Sequence, residues 1–203
     1  MTASILYIHG LNSSPTSQKA SQLSRAMAHI GLEGQLRVPA LHHHPRQAIA
    51  QLEALIDELG RPLLVGSSLG GYYATHLAHT HGLSALLINP AVRPHKLFDG
   101  YLGQQTNHYT GEIWQLTQDH VTALAELDVP APMDSARYQV WLQTADETLD
   151  YRRAEAFYRH CALRIQAGGD HGFQGFAQRL PMLFAFAGIP RSLWQDIDFS
   201  VFN

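Results

Sequence analysis

The stretch Arg61-Pro-Leu-Leu-Val-Gly-Ser-Ser-Leu-Gly-Gly71 decides how the rest of this chain is read. An apolar run at residues 63–65 stops at Gly66, and an apolar helical pattern resumes near Tyr72. Between them, Gly66-Ser67-Ser68-Leu69-Gly70 fits G-x-S-x-G, a pattern that places a serine on a sharp turn between a strand and a helix. The requirement is steric. A serine held in a strained conformation, with its hydroxyl clear of the turn, leaves no room for side chains two residues to either side. Glycine at 66 and 70 removes them. An ordinary Gly-rich turn opening a helix would carry the same letters, so the reading depends on a base, an acid and an anion-stabilising loop elsewhere.

Outward from this turn, strand and helix patterns alternate. Upstream, a β-forming apolar run at residues 4–8 ends at His9-Gly10. A helix is expected next, with Ser14 as N-cap and Pro15 at its first position, Leu23, Met27 and Ile30 on one face, and Gly31 as its stop. A second strand is expected at 34–38. Another helix begins at Pro45, with Ile49, Leu52, Ile56 and Leu59 on its apolar face and Gly60 at its end. The elbow strand is read at 62–65, its helix at 69–81 with Gly82 closing it, and the following strand at 84–88. Such alternation predicts βαβ units and a parallel sheet, with functional residues at the carboxyl ends of the strands.

The rhythm breaks at 89–136, where no strand is evident. The segment holds Phe98, Tyr101, Tyr109 and Trp114 and one helical stretch at 118–127, and a connection so long suggests a lid or pocket insertion. Alternation resumes with a strand at 138–143, a helix at 150–160, a strand at 162–166 and a last helix at 173–187 that contains Pro181. The expectation is an α/β fold with about six strands, all parallel, in a single domain spanning 1–203.

Composition agrees. The chain has 203 residues, 45% hydrophobic and 15% charged, as a globular domain with a sizeable core requires. A net charge of −3 without a basic run argues against nucleic acid as a partner. The lone Cys161 precludes an internal disulfide and reads as a small buried apolar residue. The N-terminus lacks signal-peptide character, and no apolar run approaches the roughly 18 residues that span a bilayer. A cytoplasmic protein without membrane association is therefore expected; its oligomeric state is not legible.

The remaining chemistry comes from chain order. Serine attacks a carbonyl only when a base takes its proton, and hydrolases with this elbow order their residues as Ser, then Asp or Glu, then His. Asp146 lies just past the 138–143 strand and His171 just past the 162–166 strand, so both fall on the sheet edge that carries Ser68. Glu147 is the nearest rival to Asp146. Asp170 adjoins His171, but neighbours in extended chain point oppositely, so it reads as a loop hydrogen-bonder. Asp150 suits the start of a helix. An oxyanion hole needs two backbone N–H groups: one from Leu69, directly after the serine, the other from the His9-Gly10-Leu11 loop, assigned to Leu11. His9 reads as a structural support of that loop. His42-His43-His44 cannot converge on one ion from regular structure, has no carboxylate cluster nearby, and reads as a solvated loop. No GxGxxG, Walker A or CxxC pair occurs, so neither metal nor cofactor is expected.

Four segments together, Ile8-His-Gly-Leu-Asn-Ser-Ser-Pro15, Val65-Gly-Ser-Ser-Leu-Gly-Gly-Tyr72, Thr144-Ala-Asp-Glu-Thr-Leu-Asp-Tyr151 and Gly168-Gly-Asp-His-Gly-Phe173, resemble the YqiA-type bacterial esterases of the α/β-hydrolase superfamily. The likeness spans nearly the whole chain in family order. It implies an esterase with its triad on Ser68, Asp146 and His171; Ala145 stands where family members often have glycine. A small-molecule ester is then the expected substrate. The same machinery would cleave an acyl-CoA thioester, and a binding protein without catalysis on the same fold is the alternative of another class.

Overall fold

The computed structural model describes residues 4–134 and 136–203. In chain order its main elements are β1 (Ile5–Ile8), α1 (Gln18–His29), β2 (Leu36–Arg37), α2 (Pro45–Leu59), β3 (Leu63–Ser67), α3 (Leu69–His81) and β4 (Ala85–Ile88). There follow β5 (Gly103–Thr106), β6 (Ile113–Leu116), α4 (Gln118–Glu126), β7 (Tyr138–Gln143), α5 (Tyr151–Phe157), β8 (Ala162–Gln166) and α6 (Phe176–Phe186). Six strands form one sheet in the order β2-β1-β3-β4-β7-β8, every neighbouring pair parallel. These are the six strands expected from the apolar runs.

The sheet is covered on both faces, and the period-2 alternation of its strands divides the core cleanly. Leu6, Ile8, Leu64, Leu87, Val140 and Leu142 point to the side of α2, α3, α4 and α5. Ile5, Tyr7, Val65, Leu86, Ile88 and Trp141 point to α1 and α6, where Phe199 and Phe202 from the C-terminal end join them. Near-continuous burial of β1, β3 and β4 is what a parallel sheet covered on both sides demands. Among the described residues no helix is long and apolar enough to cross a membrane.

The path of the chain fixes where a site can lie. From β1 it runs along one face through α1 to β2 at the edge. It then returns through α2 on the other face to β3, on the far side of β1. The strand order thus reverses between β1 and β3, and a crevice opens at the carboxyl ends of such a pair. The loop after β1 and the turn after β3 meet there.

Several local expectations change. The 89–136 segment is not strandless: β5 and β6 form an antiparallel hairpin. Its first strand, Gly-Gln-Gln-Thr, carries no apolar pattern, and the hairpin is held by tertiary contacts described below. The helix expected at 118–127 is present as α4. Ser14 does not cap α1. Its Oγ accepts from the Thr16 amide at 3.1 Å and lies 2.8 Å from the Thr16 hydroxyl, which closes a turn. The helix waits until Gln18, with Ser17 as N-cap. Helix α5 ends at Phe157 rather than 160, and α6 begins at Phe176, because Phe173 and Gly175 have φ of 63° and 74°. Asp150 caps α5 by accepting from the Arg152 amide.

Candidate active site

Ser68 joins β3 to α3 with φ 56° and ψ −122°, a region an L-residue occupies only under constraint. The constraint is packing. A Cβ on Gly66 would run into the Gly70 carbonyl, and one on Gly70 into the Ile8 carbonyl of the neighbouring strand. The turn therefore nests against β1, and its serine hydroxyl is turned out to the crevice. Ser67, the neighbouring hydroxyl, is buried in the strand.

His171 and Asp146 come to this serine from the loops after β8 and β7. His171 Nε2 lies 3.0 Å from Ser68 Oγ. On the other side of the ring, Nδ1–H donates to Asp146, with the two carboxylate oxygens at 3.0 and 2.9 Å. The Asp146 side chain is 2% exposed and that of His171 24%. The carboxylate is not left with the imidazole alone: Oδ1 also accepts from the Thr148 and Leu149 amides at 2.9 and 2.8 Å. An acceptor held this way fixes the imidazole tautomer with Nε2 free to receive the serine proton. The three residues picked from chain order are brought into one hydrogen-bonded line. The rivals stand beside it. Glu147 accepts from the backbone N–H of His171 at 3.0 Å, and Asp170 from the Gln174 side chain at 2.9 Å.

The loop after β1 forms the other wall. A Cβ on Gly10 would stand 3.1 Å from the Ser68 Cβ and 3.6 Å from its Oγ, a tight fit that glycine relieves where the loop meets the serine. Neither Leu11 nor Leu69 has its N–H bonded to another described group, and the first amide of a helix has no partner within it. His9 is buried, donates through Nδ1 to the Gly10 carbonyl and receives the Leu41 amide at Nε2, 3.4 Å away. Burial pushes its pKa down, which keeps the ring neutral as this pattern needs.

The β5–β6 hairpin leans on the same loop. Asn107 donates to the Ser13 carbonyl at 3.0 Å, and Trp114 Nε1 donates to Asn12 Oδ1 at 2.9 Å. Trp114 also stacks on His43, with centroids 4.8 Å apart and planes at 21°. His42, His43 and His44 are thus not a solvated loop but half-buried packing beneath the hairpin. His44 Nε2 bonds Asp119 at 2.9 Å, and Arg46 bridges Asp119 and Glu126. Among the described residues no group of three or more ligating side chains is placed to hold a metal. A cavity of about 210 Å³ beside Ser68 and His171 is bounded by the loop after β1, the start of α1, and Tyr109 of the hairpin.

Two buried polar residues that sequence reasoning passed over hold the His171 loop. Gln143, fully buried at the end of β7, accepts through Oε1 from the Asp170 and Gln174 amides and donates through Nε2 to the Gln174 carbonyl. Asn89, with φ 40° after β4, donates to the Asp170 carbonyl at 3.0 Å and accepts from the Gln143 amide. A glutamine closing an otherwise apolar strand was the available signal.

Residues 4–188 match the family described as Uncharacterised protein family (UPF0227). A UPF0227 protein of Shewanella woodyi is 27% identical over 190 residues, which cover 90% of this chain and 98% of the relative. The match agrees with the YqiA-type likeness of the four sequence segments. Among solved structures, alpha/beta hydrolase domain-containing protein 10 from mouse aligns with a TM-score of 0.71 at 15% identity, covering 91% of this chain and 89% of that one. Est1E from Butyrivibrio proteoclasticus, solved with ferulic acid bound, aligns with a TM-score of 0.68 at 14% identity, covering 91% and 86%. At these identities the likeness is one of fold, and the fold is that of the α/β hydrolases.

Proposed function

This chain belongs to the UPF0227 family, and we propose that it is a serine carboxylic ester hydrolase with Ser68, Asp146 and His171 as its catalytic triad. The observation that carries the reading is the unbroken line of hydrogen bonds from Ser68 Oγ through His171 to Asp146, at 3.0 and 2.9 Å. It starts from a serine whose backbone is strained and whose hydroxyl serves no structural bond. Strain of that kind persists where function uses it. A protein that only bound small molecules would have no need of the line.

In this reading Ser68 Oγ attacks the ester carbonyl carbon while His171 Nε2 takes the hydroxyl proton. The carbonyl oxygen, now negative, sits between the N–H groups of Leu11 and Leu69, where the α3 N-terminus also favours negative charge. The tetrahedral intermediate collapses, the C–O bond to the alcohol breaks, and His171 gives its proton to the leaving oxygen. Water, deprotonated by the same imidazole, then attacks the acyl-enzyme; the acid leaves and the proton returns to Ser68. Asp146 stabilises the imidazolium in both halves. No step calls for a metal or cofactor. The cavity beside Ser68, walled in part by the 89–136 segment, takes the substrate.

Ser68→Ala is expected to lose about 10⁶ in kcat and to abolish labelling by a fluorophosphonate, whereas Ser67→Ala retains both. Labelling that survived in the Ser68 variant and vanished in the Ser67 variant would refute the assignment. Parallel assays of oxygen esters and thioesters of one acyl chain distinguish esterase from thioesterase, since the machinery serves either bond.

A further inference from the structure

We propose that the cavity beside Ser68 is an anion-binding subsite, and that the ester substrate carries a carboxylate or phosphate held there by Lys19, Ser17 and the N-terminus of α1. The nature of the reacting bond rests on the ester-hydrolase reading; the anion site does not.

Three independent features converge on this cavity. The first is a helix end. Ser17, Gln18 and Lys19 line the cavity together with Ser68 and His171, so the first turn of the 12-residue helix α1 opens onto it. The leading amides of a helix have no partner within it and carry partial positive charge. Here no side chain caps them, and the first turn holds no acidic residue to complement them.

The second is an orphaned hydroxyl. Ser17 is only 8% exposed, yet its Oγ has no hydrogen-bond partner among the described groups. A buried hydroxyl without a partner is costly. Serine at an N-cap usually resolves this by accepting from a following amide, and Ser17 does not. A ligand oxygen would complete it.

The third is an ammonium. Lys19 Nζ donates to the Gly172 carbonyl at 2.7 Å, which leaves two of its three protons free. It has no ion pair with a described carboxylate, and the cavity wall contains no Asp or Glu. Of the nearby carboxylates, Asp146 is engaged by His171 and two amides. Asp170 bonds Gln174 through Oδ2, while its Oδ1 has no partner among the described groups and makes no ion pair with Lys19. Burial pushes Lys19 down to about 8, against the opposing pull of Asp170 and Asp146. A charge held at a cost beside a nucleophile is relieved when an anion arrives.

A plainer role exists for Lys19, tying the His171 loop through Gly172. The two roles separate kinetically. A tie acts on every ester alike, mainly through kcat, whereas an anion receptor acts on charged esters through KM.

The test compares matched esters on the full chain. On the alcohol side they are 4-acetoxybenzoate, its neutral methyl ester, and 4-acetoxyphenyl phosphate. On the acyl side they are 4-nitrophenyl hydrogen adipate and neutral 4-nitrophenyl hexanoate. At least one anionic member should exceed its neutral match by about tenfold or more in kcat/KM, the scale of a hydrogen bond to a charged group. Lys19→Met should erase that preference by raising KM for the anion, Lys19→Arg should keep it, and Lys96→Met on another face should leave it unchanged. The carboxylate and phosphate members tell the two sources apart. A wild-type protein with no anionic preference, or a folded Lys19→Met with the preference intact, overturns the proposal. Should no ester turn over, calorimetry with 4-hydroxybenzoate and with inorganic phosphate decides. Binding lost in Lys19→Met keeps the anion site and sinks the ester reading, while no binding by the wild type sinks the anion site.

Discussion

Replacing Gln143 with leucine is expected to disable the site without touching any of the three residues in its hydrogen-bonded line. The leucine keeps most of the volume at a fully buried position but removes the amide. Three groups of the His171 loop then lose their partner: the amides of Asp170 and Gln174, now 3.0 and 2.9 Å from Oε1, and the Gln174 carbonyl, 2.8 Å from Nε2. At about 1 kcal/mol net for each bond the loss is about 3 kcal/mol. In a chain of this size that lowers Tm by roughly 6–12 °C. Catalysis should suffer more than stability suggests, since a displacement of about 1 Å in a catalytic group costs roughly 10² in rate. Denaturation followed by circular dichroism reads the first effect, and steady-state kinetics at a temperature well below Tm the second. The drop should fall on kcat, with slower fluorophosphonate labelling and little change in KM. A variant with Tm within about 2 °C and kcat within about twofold of wild type would refute the claim that this amide positions the loop.

Two further outcomes are expected. Asp146→Asn should lower kcat by about 10⁴ through loss of tautomer control; Glu147→Gln and Asp170→Asn, each folded, should do far less, and an inactive Asp170 variant would reverse the assignment of the acid. The preference for anionic esters should depend on pH through Lys19, faced by Asp146, Asp170 and His171: its charge is present below about 8 and lost above it, so the anion-to-neutral ratio of kcat/KM should fall as pH rises through that value. Lys19→Arg should hold the ratio to higher pH, and a wild-type ratio flat from pH 7 to 10, about a unit or more on either side, would contradict it.

The sheet was legible because its strands are short apolar runs, each ended by a glycine, a histidine or a polar turn, and parallel strands buried on both faces have little other character to show. Ser68, Asp146 and His171 could be chosen for the same reason: each follows one of those strands, and strand ends share an edge. What escaped depends on contacts across space. Residues 103–106 pair with 113–116 in a hairpin anchored by Asn107 and Trp114 to the loop at 12–13, a pairing that no local pattern announces. Ser14 followed by proline has the letters of a helix start, but its hydroxyl was captured by Thr16. The three histidines read as solvent-facing until the stacked Trp114 is seen. Gln143 and Asn89 serve a loop that begins 27 and 81 residues further along the chain.

The grip of the hairpin on that loop has a consequence for anyone redesigning the site. Asn107 and Trp114 clasp residues 12 and 13, directly beyond Leu11, so the hairpin that walls the cavity is also the clamp on the proposed oxyanion donor. On the ester-hydrolase proposal, selectivity and turnover are therefore not separable modules. A hairpin transplanted from a relative would bring its substrate preference only if it also brought an amide and an indole to those two positions. Sequence exploration is freest at the outward residues, Ile113 and Gln115 among them, and narrowest at the clasp.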